Sequence, residues 1–293
     1  TSLTMRWPSG AKLPKLPGIE GLEALTLTGT VMGSDALKWL AGCPLLSTLR
    51  TLAFTDSSVR TGMAQLIKST HLRKLQALRI PLHGLGNAGV AKLATATNLP
   101  ALVELDLSVG TDEGGGYGSG RSYATPAVTS KSVLELAAWE VFARIHTLDL
   151  SGAKLGAQGL LMLLATQHSK ALKKLAIRGI KDSDWDMDDS LGAFKAGPAG
   201  TLDELDLSDN DLDPEAAHYL AEAKALRDLK VLRLANVKST SFERLGKASW
   251  MRSVRVLVCN DQPLPHLLPR AEQLHTLEIA PSATPLSKIA QLI

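Results

Sequence analysis

The stretch Thr201–Leu226, which reads TLDELDLSDNDLDPEAAHYLAEAKAL, decides the fold. Its first half places Leu205 and Leu207 at alternate positions after Leu202, the pattern of a short strand with one buried face. Asp213-Pro214-Glu215 then supplies an N-cap residue, a proline at the first helical position and an acidic first turn. The stretch therefore predicts a strand followed by a helix over residues 216–225.

The strand half of this stretch, Leu-x-x-Leu-x-Leu, occurs ten times along the chain. The copies begin at Leu22, Leu49, Leu75, Leu102, Ile145, Leu172, Leu202, Leu229, Val254 and Leu274. All three key positions of every copy are apolar, and successive starts are separated by 27, 26, 27, 43, 27, 30, 27, 25 and 20 residues. One strand-helix unit cannot bury its apolar face alone, whereas stacked units share a continuous core. The pattern therefore predicts a repeat protein.

These repeats resemble the leucine-rich-repeat family, in the long-period subclass typified by ribonuclease inhibitor. The resemblance rests on the stretch quoted above and on Gly156-Ala157-Gln158-Gly159-Leu160, which matches the helix start. It implies an α/β fold: a right-handed solenoid of about ten repeats, with a curved parallel β-sheet on the concave side and helices on the convex side. The chain departs from the family in its variable period, and only Asn210 occupies the usual asparagine position after a strand.

The ends of the repeat array carry their own predictions. Leu3, Met5 and Trp7 alternate about one period before Leu25, so we expect residues 1–21 to form an N-terminal capping segment. Residues 22–293 are then a single solenoid domain with an insertion at 109–130. In the last two copies the prolines predict that an extended segment replaces the helix. These prolines are Pro263, Pro265 and Pro269.

Composition and motif searches disfavour several function classes. The net charge of +3 is too small for a typical nucleic-acid partner, and no apolar run is long enough for a membrane span. No histidine pairs with glutamate at zinc-protease spacing, and no nucleophile–base arrangement is readable. A catalytic triad assembled across repeats would leave no such pattern. We therefore expect no enzyme activity, no cofactor or metal, and no small-molecule substrate.

The two cysteines bear on the compartment. Cys43 lies in the first full repeat and Cys259 in the ninth copy, too far apart for a disulfide in a stacked array. Reduced thiols are typical of a cytoplasmic protein, which is the expected location.

Two loops are candidate binding elements. Gly110–Gly120 is glycine-rich and precedes Arg121 and Tyr123, and it lacks the ending of a phosphate-binding loop. Tyr117, Arg121 and Tyr123 are residue types favoured at protein interfaces. The second loop, Lys181–Ser190, surrounds Trp185 with five aspartates but lacks the glycine and glutamate of an EF-hand. Each loop is either a passive excursion or a contact, and both leave the same edge of the predicted sheet.

The solvent-facing strand positions form the alternative surface. Its candidate binding residues are Asp106, Asp149, Arg178, Asp206 and Arg233. Because adjacent strands lie about 5 Å apart, these charges and their neighbours can pair sideways into a self-neutralising surface. Alternatively, they form an acidic patch for a basic peptide.

The sequence thus predicts a protein–protein interaction module that recognises a protein partner through the concave face, the loop edge or both. Neither a nucleic acid nor a membrane is expected as a partner. The alternatives are that the chain is the sensing arm of a larger multidomain protein or, with less support from the sequence pattern, a nucleic-acid-binding or enzymatic domain.

Overall fold

The computed structural model describes residues 1–6, 21–29, 32–55, 59, 62–108, 130–152, 157–179, 194 and 200–280. The chain divides into two compact units, Thr1–Leu155 and Gly156–Ile293. Each unit is an α/β leucine-rich-repeat solenoid, in which parallel strands stack beside one another and helices pack on helices of neighbouring repeats. The predicted α/β solenoid with a parallel sheet is confirmed.

The described residues of the first unit form six parallel strands in chain order. They are β1 (Ser2–Arg6), β2 (Ala24–Thr28), β3 (Thr51–Thr55), β4 (Ala77–Arg79), β5 (Glu104–Asp106) and β6 (Thr147–Asp149). Their register aligns Leu25 with Leu52, Leu78, Leu105 and Leu148, so one column of leucines crosses the sheet. All five are buried.

The second unit has five strands in its main sheet and a small parallel pair beside it. The main strands are β7 (Lys174–Ala176), β8 (Glu204–Asp206), β10 (Val231–Leu234), β12 (Val256–Cys259) and β13 (Thr276–Ile279), and the pair is β9 (Asp211–Leu212) and β11 (Lys238–Ser239). Leu175, Leu205, Leu232, Leu257 and Leu277 are in register.

The Leu-x-x-Leu-x-Leu copies build the core of both units. Each of the ten copies forms a strand, and the nine copies from Leu22 to Val254 have all three key residues buried. In the last copy Leu274, Leu277 and Ile279 are half-buried. The difference follows from position, since among the described residues β13 pairs with β12 alone.

Helices follow most strands. They are α1 (Ser34–Ala41), α2 (Met63–Leu66), α3 (Leu82–Leu93), α4 (Ser130–Ala138), α5 (Ala157–Ala165), α6 (Pro214–Ala221), α7 (Phe242–Gly246) and α8 (Leu264–Leu267). Short 3-10 helices precede most of the strands, among them Glu140–Arg144, Lys224–Leu226 and Ser249–Ser253. The α3 segment is interrupted at Gly86, whose φ of 60° lies in the left-handed region.

The predicted start of α6 is confirmed. The Asp213 side chain accepts hydrogen bonds from the backbone N–H groups of Glu215, at 2.9 Å, and Ala216, at 2.7 Å. The helix ends at Ala221 rather than Ala225, because the chain turns through the 3-10 helix Lys224–Leu226 and buries Ala225 and Leu226.

The prediction of an extended segment around Pro263 is wrong, because α8 occupies Leu264–Leu267. Pro263 directly precedes this helix and Pro265 lies in its first turn. A proline is tolerated there because the first helical N–H groups have no partner within the helix.

Two buried tryptophans join repeats on the helical side. The Trp139 indole N–H donates to the carbonyl of Ala96 at 2.8 Å in the first unit. In the second unit Trp250 donates in the same way to Leu220, near the end of α6, at 2.9 Å. Each indole thereby ties the start of a 3-10 helix to the repeat before it.

Candidate functional site

The open face of each sheet, defined as the side opposite the buried leucines, is formed by alternate strand residues. In the first unit, β1 to β3 present mostly small neutral side chains, among them Thr4, Thr26 and Thr51, and Arg6 is the charged residue at the end of β1. From β4 onward charges pair across strands, and Arg79 Nη2 lies 2.8 Å from Glu104 Oε1. The open face of this unit therefore carries more charge on β4 to β6 than on β1 to β3.

Three candidate aspartates hold turns at the ends of their strands. In Asp106, Asp149 and Asp206, the Oδ1 atom accepts the backbone N–H of the serine two residues later, at 2.8 to 2.9 Å. Such local bonds stabilise a turn. Asp106 and Asp149 are also register partners on neighbouring strands. The carboxylates thus have a structural role, and one oxygen of each is already engaged.

The charges of the second unit pair across strands. Glu204 lies between two cations: its Oε2 is 3.1 Å from Lys174 Nζ and its Oε1 is 3.2 Å from Arg233 Nε. Lys174, Glu204 and Arg233 belong to three successive strands, so the row alternates in sign. Sideways pairing of the open-face charges, predicted as one of two alternatives, is confirmed for these residues and for Arg79 with Glu104.

A second row of polar contacts follows the carboxyl ends of the strands, and we call it the strand-exit ladder: Arg178, Asp209, Asn236 and Asn260. Arg178 Nη2 is 3.3 Å from Asp209 Oδ2, and Asn236 Nδ2 donates to Asp209 Oδ1 at 2.9 Å. The Asn260 side-chain oxygen accepts the backbone N–H of Asn236. Four successive repeats of the unit are therefore joined by side-chain contacts at this edge.

Two members of the strand-exit ladder have left-handed backbones. Asp209 has φ 63° and Asn236 has φ 56°, whereas the preceding repeat places Gly179 at the corresponding turn with φ 57°. A non-glycine residue in this region costs about 1–2 kcal/mol, less for asparagine and aspartate. Their cross-repeat hydrogen bonds offset that cost.

The apolar part of the open face lies beside these charges, and we call it the valine patch: Val231, Val256 and Val258. Val231 and Val256 are register partners on β10 and β12, and Val258 lies two residues along β12 on the same face. All three are half-buried, with their remaining surface turned away from the core. Polar or small residues occupy these positions in the other strands.

Basic residues line one end of the valine patch. Lys230, Arg255 and His275 each immediately precede a strand, and their backbones are joined by hydrogen bonds of 2.8 Å. All three side chains are exposed. We call them the basic row. Lys230 Nζ is 2.7 Å from Asp203 Oδ1, so its charge is balanced.

The predicted binding residues fall into two groups. Tyr117, Arg121, Tyr123 and Trp185 lie outside the described residues. Arg178 and Asp206 lie together, with Arg178 Nε 3.9 Å from Asp206 Oδ2, while Arg233 pairs with Glu204. The valine patch was missed, although valines at solvent-facing positions of two consecutive copies are visible in the sequence. The prediction for that face considered its charged residues and left the valines out.

The described residues offer few groups for chemistry. Burial, with a smaller contribution from the charge of Asp261, raises the pKa of Cys259 to about 12, so this thiol stays protonated near neutral pH. Across the part of the chain that the structure describes, no cluster of three or more His, Cys, Asp and Glu side chains could hold a metal ion. In that same part, every helix is too short or too polar to cross a membrane.

No protein-family model matches the chain, and no curated protein matches it. Among the solved structures that match is an internalin from Listeria monocytogenes, which is 16% identical, covers 99% of this chain and 85% of its own, and has a TM-score of 0.45.

Proposed function

We propose that this chain is a non-catalytic protein-recognition module that contacts its partner through the open face of the second unit. The observation that carries the proposal is the valine patch. Its three apolar side chains occupy solvent-facing positions where the rest of the sheet has polar or small residues. Their remaining exposed surface leaves the water only when another molecule covers them.

The size of the valine patch sets the free energy that it contributes to binding. Covering three half-buried valines stabilises a complex by roughly 1–3 kcal/mol, at about 25 cal/mol per Å² of apolar surface. A specific protein interface buries about 800 Å² on each partner, far more than these side chains offer. The patch is therefore the apolar centre of the contact, and the polar residues around it form the rim.

The rim is already ordered before binding. Lys174, Glu204 and Arg233 hold one another in ion pairs, and the strand-exit ladder fixes the opposite edge. Side chains that are held in place lose less conformational entropy when a partner arrives. A preordered rim of this kind favours binding of a partner protein over chemistry on a small substrate.

The loop edge is a second part of the proposal and rests on sequence alone. From the sequence we expect residues 110–123 and 181–190, which contain Tyr117, Arg121, Tyr123 and Trp185, to follow the ends of their strands. We also assign the repeats to the long-period, ribonuclease-inhibitor-like subclass. Periods near 27 residues and helices of eight or more residues, such as α1, α5 and α6, support this assignment.

The test is a comparative pull-down from a lysate of the source organism, with retained proteins quantified by mass spectrometry. Val258→Arg places a charged side chain in the valine patch. Thr26→Arg makes the same addition at the corresponding position of β2 in the first unit and is the matched control. We expect a set of proteins that wild type and Thr26→Arg retain and Val258→Arg loses, with circular dichroism showing that all three chains are folded.

Two results would contradict this surface. One is an identical set of retained proteins for all three chains. The other is loss of the partner only when Tyr117, Tyr123 and Trp185 are replaced by alanine, which would assign the contact to the loop edge.

A further inference from the structure

The charges around the valine patch are not symmetric. Among the described residues, the Arg255 guanidinium has no carboxylate partner, and His275 beside it is also exposed. Glu278 lies on the other side, next to Val258 in register, and it has no cation partner among the described residues. The patch therefore has a cationic end at the strand starts and an anionic side at β13.

We infer that the valine patch and the basic row together bind an amphipathic peptide segment of a partner protein, with carboxylates at the end that meets Arg255 and His275. This inference rests on the proposed function and specifies the partner's chemistry. The segment's aliphatic or aromatic side chains cover Val231, Val256 and Val258. Its other end is neutral or basic, because Glu278 repels a second carboxylate there.

The dimensions limit the length of the segment. Val231 and Val256 lie about 5 Å apart across the strands, and Val256 and Val258 about 7 Å apart along β12. Such a surface accommodates one or two side chains, and the basic row begins at the next residue. Three to six residues of the partner therefore make the central contact.

A peptide fits these observations better than a nucleic acid. Phosphates would pair with Arg255, but single-stranded nucleic acids gain much of their affinity by stacking bases on aromatic side chains. The patch offers three valines and no aromatic residue. Its apolar surface is matched by the aliphatic side chains of a protein.

The experiment is a selection of random twelve-residue peptides displayed on phage against the full chain. Enriched sequences are then synthesised with a fluorescent label and titrated by fluorescence polarisation. We expect enriched peptides to carry Asp or Glu within three residues of an aliphatic or aromatic side chain. Their affinity falls at least about tenfold with Val258→Arg and with Arg255→Glu, and it is unchanged with the matched control Thr26→Arg.

Reversing the charges of the peptide and of Arg255 tests whether Arg255 contacts the carboxylates. A peptide in which lysines replace the carboxylates is expected to bind Arg255→Glu more tightly than wild type. Because Arg255 is exposed at the start of β12, this variant keeps its fold, which circular dichroism checks.

Negative results of these experiments distinguish the peptide inference from the proposed recognition surface. Peptides that depend on Val258 but not on Arg255 overturn the carboxylate inference and leave the proposed surface intact. No enrichment, or enriched peptides insensitive to Val258→Arg, overturns the peptide inference, while the pull-down still tests the surface for folded partners. Tight binding of a labelled twelve-residue oligothymidine that Arg255→Glu abolishes would also overturn it, in favour of a nucleic acid.

Discussion

Replacing Leu205 with alanine tests whether the central strands of the second unit carry its stability. Leu205 on β8 is completely buried, between its register partners Leu175 on β7 and Leu232 on β10. Alanine removes three buried carbon atoms, which costs about 2.4 kcal/mol at roughly 0.8 kcal/mol for each. The cavity left behind brings the expected loss of unfolding free energy to about 3–4 kcal/mol.

The matched comparison is Leu277→Ala, the equivalent position of β13. Leu277 is half-buried and, within the part of the chain that the structure describes, its strand has β12 as its one neighbour, so the chain relaxes around the smaller side chain. We expect a loss of roughly 1 kcal/mol, because a terminal repeat contributes one interface rather than two.

The assay is urea unfolding followed by far-ultraviolet circular dichroism, with wild type and both variants titrated side by side. The midpoint and slope together give the unfolding free energy, and an unchanged slope shows that the same structure unfolds. Equal losses for the two variants, or a loss below about 1 kcal/mol for Leu205→Ala, would refute the nearest-neighbour account of this core.

Three further predictions concern single side chains. In the native chain a thiol reagent at pH 8 is expected to label the half-buried Cys43 and spare Cys259, because burial raises the pKa of Cys259 to about 12. Rapid labelling of both cysteines before denaturant is added would contradict this prediction. Trp250→Phe should lower the unfolding free energy by about 1–2 kcal/mol through loss of the bond to Leu220, whereas a loss near zero in urea titration would show that the indole N–H contributes nothing. The hydrogen bond from Lys247, followed by its charge, lowers the pKa of the exposed Glu243, so this contact is present above the ordinary carboxyl pKa and is lost as pH falls through the lowered value. Lys247→Ala should therefore raise the pKa of Glu243 in an NMR titration, and an unchanged titration would remove that contact from the account.

The sequence predicted the strands because their signal is local and repeated. Leucines at fixed spacing mark which side of each strand is buried, and Asp213-Pro214-Glu215 marks the start of α6 through bonds within four residues. The sideways ion pairs also followed, because strand spacing alone brings Lys174 and Glu204 together.

Other features depended on neighbours that lie far away in sequence. The Trp250 bond reaches back thirty residues to Leu220, and nothing near Trp250 indicates its acceptor. The left-handed turns at Asp209 and Asn236 are tolerated because each side chain finds a partner in an adjacent repeat. The prediction around Pro263 was wrong because proline can either end a helix or begin one. Its position relative to the helix decides between the two, and Pro263 directly precedes α8.

The strand-exit ladder restricts how this array can be rearranged in evolution. Arg178 is a cation, Asp209 an anion, and Asn236 and Asn260 are amides, and each of the three neighbouring pairs is joined by a contact. Exchanging the repeats that carry Asp209 and Asn236 would set Arg178 against an amide and leave Asp209 without its cation, although the leucine core would accept the exchange. The turns therefore give otherwise interchangeable modules a fixed order, since moving the module of Asp209 would break the contacts that join it to its neighbours.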